Sequence, residues 1–159
     1  MTSPIEETFD KDSLGKLKAF ADFNPSEVET LAALSDRARF AAGATVFEEG
    51  SVGDSMFIIL EGNVQVVRGS VEFAALSVGD FFGELALVDP APRSASVVAK
   101  TDCEFLVVAQ TTVGVLAGTS PRAALKLLVA VGRELAIRLR KGNQKYFDLV
   151  LGCADDASA

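Results

Sequence analysis

The residues best suited to chemistry sit in one short segment, Phe82-Gly83-Glu84-Leu85-Ala86-Leu87-Val88-Asp89-Pro90-Ala91-Pro92-Arg93-Ser94-Ala95-Ser96-Val97. Gly83 has no side chain, so a ligand can approach its backbone closely. Glu84 to Val88 reads as one short helical turn, whose free N–H groups and local dipole attract phosphate. Arg93 adds a fixed positive fork that fits phosphate oxygens. Glu84 would repel a phosphate unless its carboxylate faced a hydroxyl instead. The combination suits a ligand with one phosphate and one neighbouring ribose hydroxyl. The plainer alternative is a helix-capping Glu84 and a surface Arg93 in an unrelated β-rich domain. Pro90 and Pro92 stiffen the loop that delivers Arg93, which lowers the entropy lost on binding.

This segment resembles the phosphate-binding cassette of cyclic nucleotide-binding domains, of the kind found in catabolite activator proteins and protein kinase A regulatory subunits. The pattern there is F-G-E-[LI]-[AG]-L, a short variable loop, then P-R-[AST]-A-[ST]-V, and the chain matches every position. The resemblance implies that Arg93 pairs with the cyclic phosphate. It implies that Glu84 accepts a hydrogen bond from the ribose hydroxyl, with the Gly83 backbone beside it. Backbone N–H groups of Leu85, Ala86 and Ala95 would complete the cradle, and the Ser94 hydroxyl would lie by the phosphate and the edge of the base. Glu84 and Arg93 could also brace the loop as a mutual salt bridge. In the family, Ala after the Arg often accompanies cAMP and Thr cGMP, while Ser occurs in cAMP-responsive bacterial regulators. Ser94 therefore leans to cAMP without excluding cGMP. By alignment with the activator proteins, Gly142 and Asn143 fall at the adenine-contacting positions. Asn143 could read the base, or equally face solvent. No cofactor beyond the cyclic nucleotide ligand is expected, and no metal.

Composition narrows the alternatives. The chain has 159 residues, a formal charge of −7 and no His. The lack of His removes His-based triads, bases and metal ligands, so no catalytic residue and no enzymatic activity are expected. The acidic balance argues against a nucleic-acid surface. The basic cluster Arg133, Arg138, Arg140, Lys141 and Lys145 reads as a solvated helix face. No apolar run approaches a membrane span, and the acidic start is no secretory signal. The expected location is cytoplasmic. Cys103 and Cys153 fit that setting: Cys103 reads as a buried filler in a strand and Cys153 as a free thiol.

The elements that must position the cassette follow from periodicity. Residues 1–11 read as disordered. Asp12 or Ser13 would cap a first helix through Leu14, Leu17 and Phe20. Asn24 would cap a second, with Pro25 at its first position and Val28, Leu31 and Leu34 on one apolar face. From about Arg37 the pattern becomes strand-like: 37–40, 45–48, 56–60, 64–68, 71–76, 96–99 and 104–108, separated by glycine turns. Short, evenly spaced strands indicate a jelly roll or barrel. The turn glycines resemble the family's own pattern, as do Phe47-Glu48-Glu49-Gly50 and Gly53-Asp54-Ser55-Met56-Phe57-Ile58-Ile59-Leu60-Glu61-Gly62. A short helix near 111–117 follows. Ser120-Pro121 then opens a long helix ending at Gly152. Its positions Leu128, Gly132, Leu135, Leu139, Gly142, Tyr146 and Leu149 alternate by four and three, as in a heptad seam. That face would pack on the barrel or form a homodimer.

The expected fold is thus mainly β with flanking helices: a β-roll or jelly roll (double-stranded β-helix) of the cyclic nucleotide-binding kind, with N-terminal helices and a long C-terminal helix. The expected divisions are a disordered 1–11, a helical lead-in plus β-roll over 12–119, a lid or dimerisation helix over 120–152, and a disordered tail over 153–159. No DNA-reading, kinase, cyclase or channel segment is visible. The expected function is a stand-alone cyclic-nucleotide sensor, for cAMP before cGMP, acting on an unidentified effector protein or through an oligomer change. The alternative is a degenerate domain of this kind, serving as a dimerisation or interaction module without ligand.

Overall fold

Apolar side chains at alternating positions give a strand two faces, and here both faces of the central strands are covered. The structure is a computed structural model that describes residues 14–157, with side chains through residue 152. Its strands are β1 (Asp36–Phe40), β2 (Thr45–Phe47), β3 (Ser55–Glu61), β4 (Val64–Arg68), β5 (Val71–Leu76), β6 (Phe81–Phe82), β7 (Ser96–Ala99) and β8 (Cys103–Ala109). They form two four-stranded sheets, ordered β1-β8-β3-β6 and β2-β7-β4-β5, with antiparallel pairing throughout. The helices are α1 (Pro25–Leu34), α2 (Leu85–Val88), α3 (Gln110–Thr119) and α4 (Pro121–Ala157). The fold is the β-roll with flanking helices that the sequence indicates.

One core fills the space between the sheets. Ile59, Phe82 and Phe105 from the first sheet meet Val64, Val97 and Ala99 from the second. Phe57 and Phe82 stack with ring centroids 5.2 Å apart, and Phe105 stands edge-on to Phe82 at 5.3 Å. Such pairs add about 0.5–1.5 kcal/mol beyond the area they bury. By strand alternation, Met56, Ile58, Leu106 and Val108 point the other way, and all four are buried. With Val28, Leu31 and Leu116 of α1 and α3, also buried, they supply the apolar layer under the helices. Cys103 is buried, its thiol donating to the backbone oxygens of Asn63 and Thr101.

Helix α1 starts as expected. The Asn24 side chain accepts from the Glu27 N–H, and Glu27 accepts from the Asn24 N–H, forming a capping box with Pro25 at the first position. The stretch before it differs from expectation. Asp12, Ser13 and residues 1–11 lie outside the described residues. Leu14 and Gly15 are helical, as expected, but the chain then turns and Lys18–Phe20 form a separate 3-10 helix, because Leu17 is extended (φ −68°, ψ 140°) and interrupts a continuous helix through Phe20. Leu14 and Phe20 are nevertheless buried.

Helix α4 also departs from expectation at its end. It runs through Gly152 to Ala157 instead of stopping. A glycine costs a helix only about 1 kcal/mol relative to Ala. Cys153-Ala154-Asp155-Asp156-Ala157 contains no proline to end it. The tail expected over 153–159 is therefore helical to Ala157, and residues 158–159 lie outside the described part, as does the Cys153 side chain.

The chain divides into two compact units, one up to Leu127 and one from Leu128 onward. The first holds both sheets, α1 to α3 and the root of α4. The second is the remainder of α4, on which Leu139, Tyr146, Phe147, Leu149 and Leu151 are exposed. No helix among the described residues is long and apolar enough to cross a membrane.

Candidate functional site

The cassette is carried by β6, α2, the loop after α2 and β7. Strand β6 is only two residues long, pairing Phe82 with Phe57 and Phe81 with Ile58 of β3. Gly83 follows with φ +74°, a conformation that L side chains rarely adopt. The close approach is equally restrictive: a Cβ there would lie 2.8 Å from Arg93 Nη1 and 3.0 Å from the Ser55 carbonyl oxygen. Helix α2 begins next. The expected phosphate donors are placed differently from one another: Leu85 is half exposed, whereas Ala86 is buried and its N–H donates to the Gly83 oxygen at 3.2 Å. In this state the Ala86 N–H is engaged within its own turn, because α2 is a single turn closed on Gly83.

Arg93 is the centre of the site. It is only 9% exposed, which removes the surface-arginine alternative. Nη2 donates to the Ser55 carbonyl at 2.8 Å and Nη1 to the Gly83 carbonyl at 3.2 Å. The guanidinium carbon lies 4.2 Å from the centre of the Phe47 ring, a cation–π contact. Nε is buried and has no hydrogen-bond partner among the described residues. A buried charged donor left unsatisfied costs on the order of 1–3 kcal/mol or more. Burial pushes the Arg93 pKa down from its ordinary value, while the carboxylates of Asp54 and Glu84 push it back up. The Arg93 backbone is fixed too: its N–H donates to the Ser51 oxygen and its carbonyl accepts from the Gly50 N–H, both at 2.8 Å.

Glu84 is 4% exposed and its side chain makes no capping bond to α2, so the helix-capping alternative also fails. Its carboxylate supports the charge of Arg93 through space. Ala95 is buried and Ser94 exposed, in the bend just before β7. Gly83 and Glu84 thus act on the Arg93 guanidinium, the first by a bond and the second through space; Leu85 and Ala86 follow Glu84, and Ser94 and Ala95 follow Arg93, in the same unit. Asn143 belongs to the second unit, where it is exposed on α4.

Three residues at the site carry no role in the sequence reading. Phe47 is the platform under Arg93, Ser55 supplies a carbonyl, and Gly53 lies against the guanidinium. A Cβ on Gly53 would come within 2.6 Å of Arg93 Nε and 2.7 Å of Cζ. All three lie within the two stretches that resemble the family's turn pattern, which was the available signal.

Comparison with known proteins agrees with this fold. The model of the cyclic nucleotide-binding domain matches residues 37–118. The chain is 41% identical over 91 residues to a cAMP-dependent protein kinase regulatory subunit of Aspergillus fumigatus, covering 56% of this chain and 22% of that protein. It is 30% identical to a CRP-like cAMP-activated global transcriptional regulator of Mycobacterium tuberculosis, over 86% of this chain and 62% of the relative. It therefore spans about a fifth of the fungal protein and under two thirds of the mycobacterial one. Among solved structures it is similar to the N-terminal domain of a transcriptional regulator from Streptomyces coelicolor, with TM-score 0.69, 32% identity, and coverage of 84% of this chain and 94% of that one. These relatives carry regulatory names. A cassette matched at every position, folded around one buried arginine and lying inside the matched region, makes this chain a member of the cyclic nucleotide-binding domain family.

Proposed function

We propose that the chain is a regulatory sensor domain that binds a cyclic nucleotide at Arg93 and Glu84, with cAMP favoured over cGMP. The observation that carries this reading is the unpartnered, buried Nε of Arg93, set beside the buried Glu84 carboxylate. A cyclic phosphate oxygen would satisfy Nε with a charge-assisted bond, and Glu84 would accept from the ribose hydroxyl. The other two guanidinium nitrogens already hold carbonyls, so the fork is oriented before ligand arrives and little entropy is lost on binding. Preference for cAMP rests on Ser94 and on the cAMP-related names of the relatives.

Output would pass to a partner protein or through a change of oligomer. The exposed apolar residues of the second unit, Leu139, Tyr146 and Leu149 among them, support an output through association. A ligand can drive such a change only by binding one state more tightly than the other. The low cysteine content suits a cytoplasmic setting.

Calorimetric titration with cAMP, cGMP and 5′-AMP tests the reading. Saturable binding of cAMP, weaker binding of cGMP and none of the open-chain nucleotide is the expected result. Loss of one charged hydrogen bond predicts at least ~10-fold weaker binding in Arg93→Ala. Equal affinity of wild type and variant would sink the site assignment. No binding by either cyclic nucleotide would favour an interaction module without ligand.

A further inference from the structure

The helical side of the first unit holds a buried charge that the nucleotide site does not use. Glu27 in α1 is 5% exposed. Its Oε1 accepts the Asn24 N–H at 3.0 Å and also a bond from Lys126 Nζ, at the root of α4. Its Oε2 is buried without a partner among the described residues. One oxygen therefore serves two structures at once, the cap of α1 and the tie to α4. At the other end of α1, the Thr112 hydroxyl of α3 donates to the Leu34 carbonyl at 3.4 Å. Between these ties lie the buried Val28, Leu31, Leu116, Ala123, Ala124 and Leu127.

We propose that Glu27 and Lys126 form a latch that makes α1, α3 and residues 121–127 open as one unit, separately from the strands. The reason is that, among the described residues, Lys126 is the cation bonded to Glu27, whereas Arg122 reaches it only through space. If Lys126 leaves, a buried carboxylate keeps only one N–H donor, and such a charge is far more costly than the intact pair. The helix carrying Glu27 must then loosen to let water reach it. Movement of the α4 root is in this way converted into loosening of α1, although the two are far apart in sequence. Local opening of this kind is a defined free-energy step below global unfolding. The inference concerns the helical layer alone and does not depend on the nucleotide reading.

Amide hydrogen exchange on the full chain, without nucleotide, tests it in two variants. Lys126→Met removes the charge and keeps the aliphatic stem. Glu27→Gln keeps an oxygen for the Asn24 N–H and removes the anion. In both, exchange across 25–34, 110–119 and 121–127 is expected to rise together by about tenfold or more, the effect of one lost charged hydrogen bond. Strands β3 and β8 are expected to change much less. Faster exchange confined to 121–127, an equal rise across helices and strands, or no change in either variant would each overturn the latch. If one variant does not fold, the other reads the same three segments.

Discussion

Substituting Gly53 by Ala tests the positioning of Arg93 without touching any group that binds ligand. The Gly53 backbone is outside the positive-φ region, so Ala is tolerated there conformationally. The added Cβ would lie 2.7 Å from Arg93 Cζ and closer still to Nε and Nη2, whereas ordinary contact begins at 3.4 Å, so the guanidinium must retreat by at least roughly 0.7 Å. A retreat of that size takes the 2.8 Å bond to the Ser55 carbonyl to the edge of hydrogen bonding. It also turns Nε from its aim. One charged hydrogen bond is worth about 1.5–3 kcal/mol. Affinity for cAMP should therefore fall by about tenfold or more. Stability should change little, because Ala at a compatible site gains about 0.4–1 kcal/mol through the unfolded chain. Titration calorimetry and thermal denaturation on the same sample read both quantities. Wild-type affinity in Gly53→Ala would refute the claim that Arg93 acts from this fixed position. Lowered affinity with gross destabilisation would refute the clean steric argument.

Other outcomes follow from the same geometry. Glu84→Gln should bind cAMP about tenfold or more weakly, and should discriminate less than wild type between cAMP and its 2′-deoxy analogue in competition binding; undiminished discrimination would remove Glu84 from ribose recognition. Gly83→Ala should be worse than Gly53→Ala, since it adds positive-φ strain to a Cβ 3.0 Å from the Ser55 backbone oxygen, and a thermal melt equal to that of wild type would contradict this. The hydrogen bond from Lys126, then that from the Asn24 backbone, hold the Glu27 pKa below its ordinary 4.5, with Arg122 adding to the effect. The depressed pKa gives stability that is complete above the unfolded value and lost as pH falls through the folded one. Melting temperature below about pH 4.5 should thus fall more steeply in wild type than in Glu27→Gln, and parallel curves would show that the pair contributes nothing. Phe105→Ala, at a fully buried ring between the sheets, should cost about 3–5 kcal/mol in chemical denaturation.

Much of the fold was readable because it is written in local chemistry. The Asn24-Pro25-Ser26-Glu27 start of α1 and the strands 64–68, 71–76 and 96–99 follow from capping and alternation alone. Strand β6 was not readable: two residues between turns have no period, and Phe81 and Phe82 become a strand only through β3. The side chains of the site, Arg93 and Glu84, were legible by type and spacing. Ser55 was not, because it acts through a carbonyl that any residue would supply. Gly53 reads as a turn glycine, yet its conformation is ordinary; what it accommodates is a guanidinium distant in sequence. The engaged Ala86 N–H likewise depends on how tightly one turn closes, which residue types do not specify.

The central claim is that the buried Nε of Arg93 receives a cyclic phosphate. A crystal structure of the protein with cAMP tests it most directly. A phosphate oxygen is expected about 2.7–2.9 Å from Nε, with the ribose hydroxyl on the Glu84 carboxylate. A complex in which cAMP binds elsewhere, or in which Nε stays unpartnered beside the bound nucleotide, would contradict it.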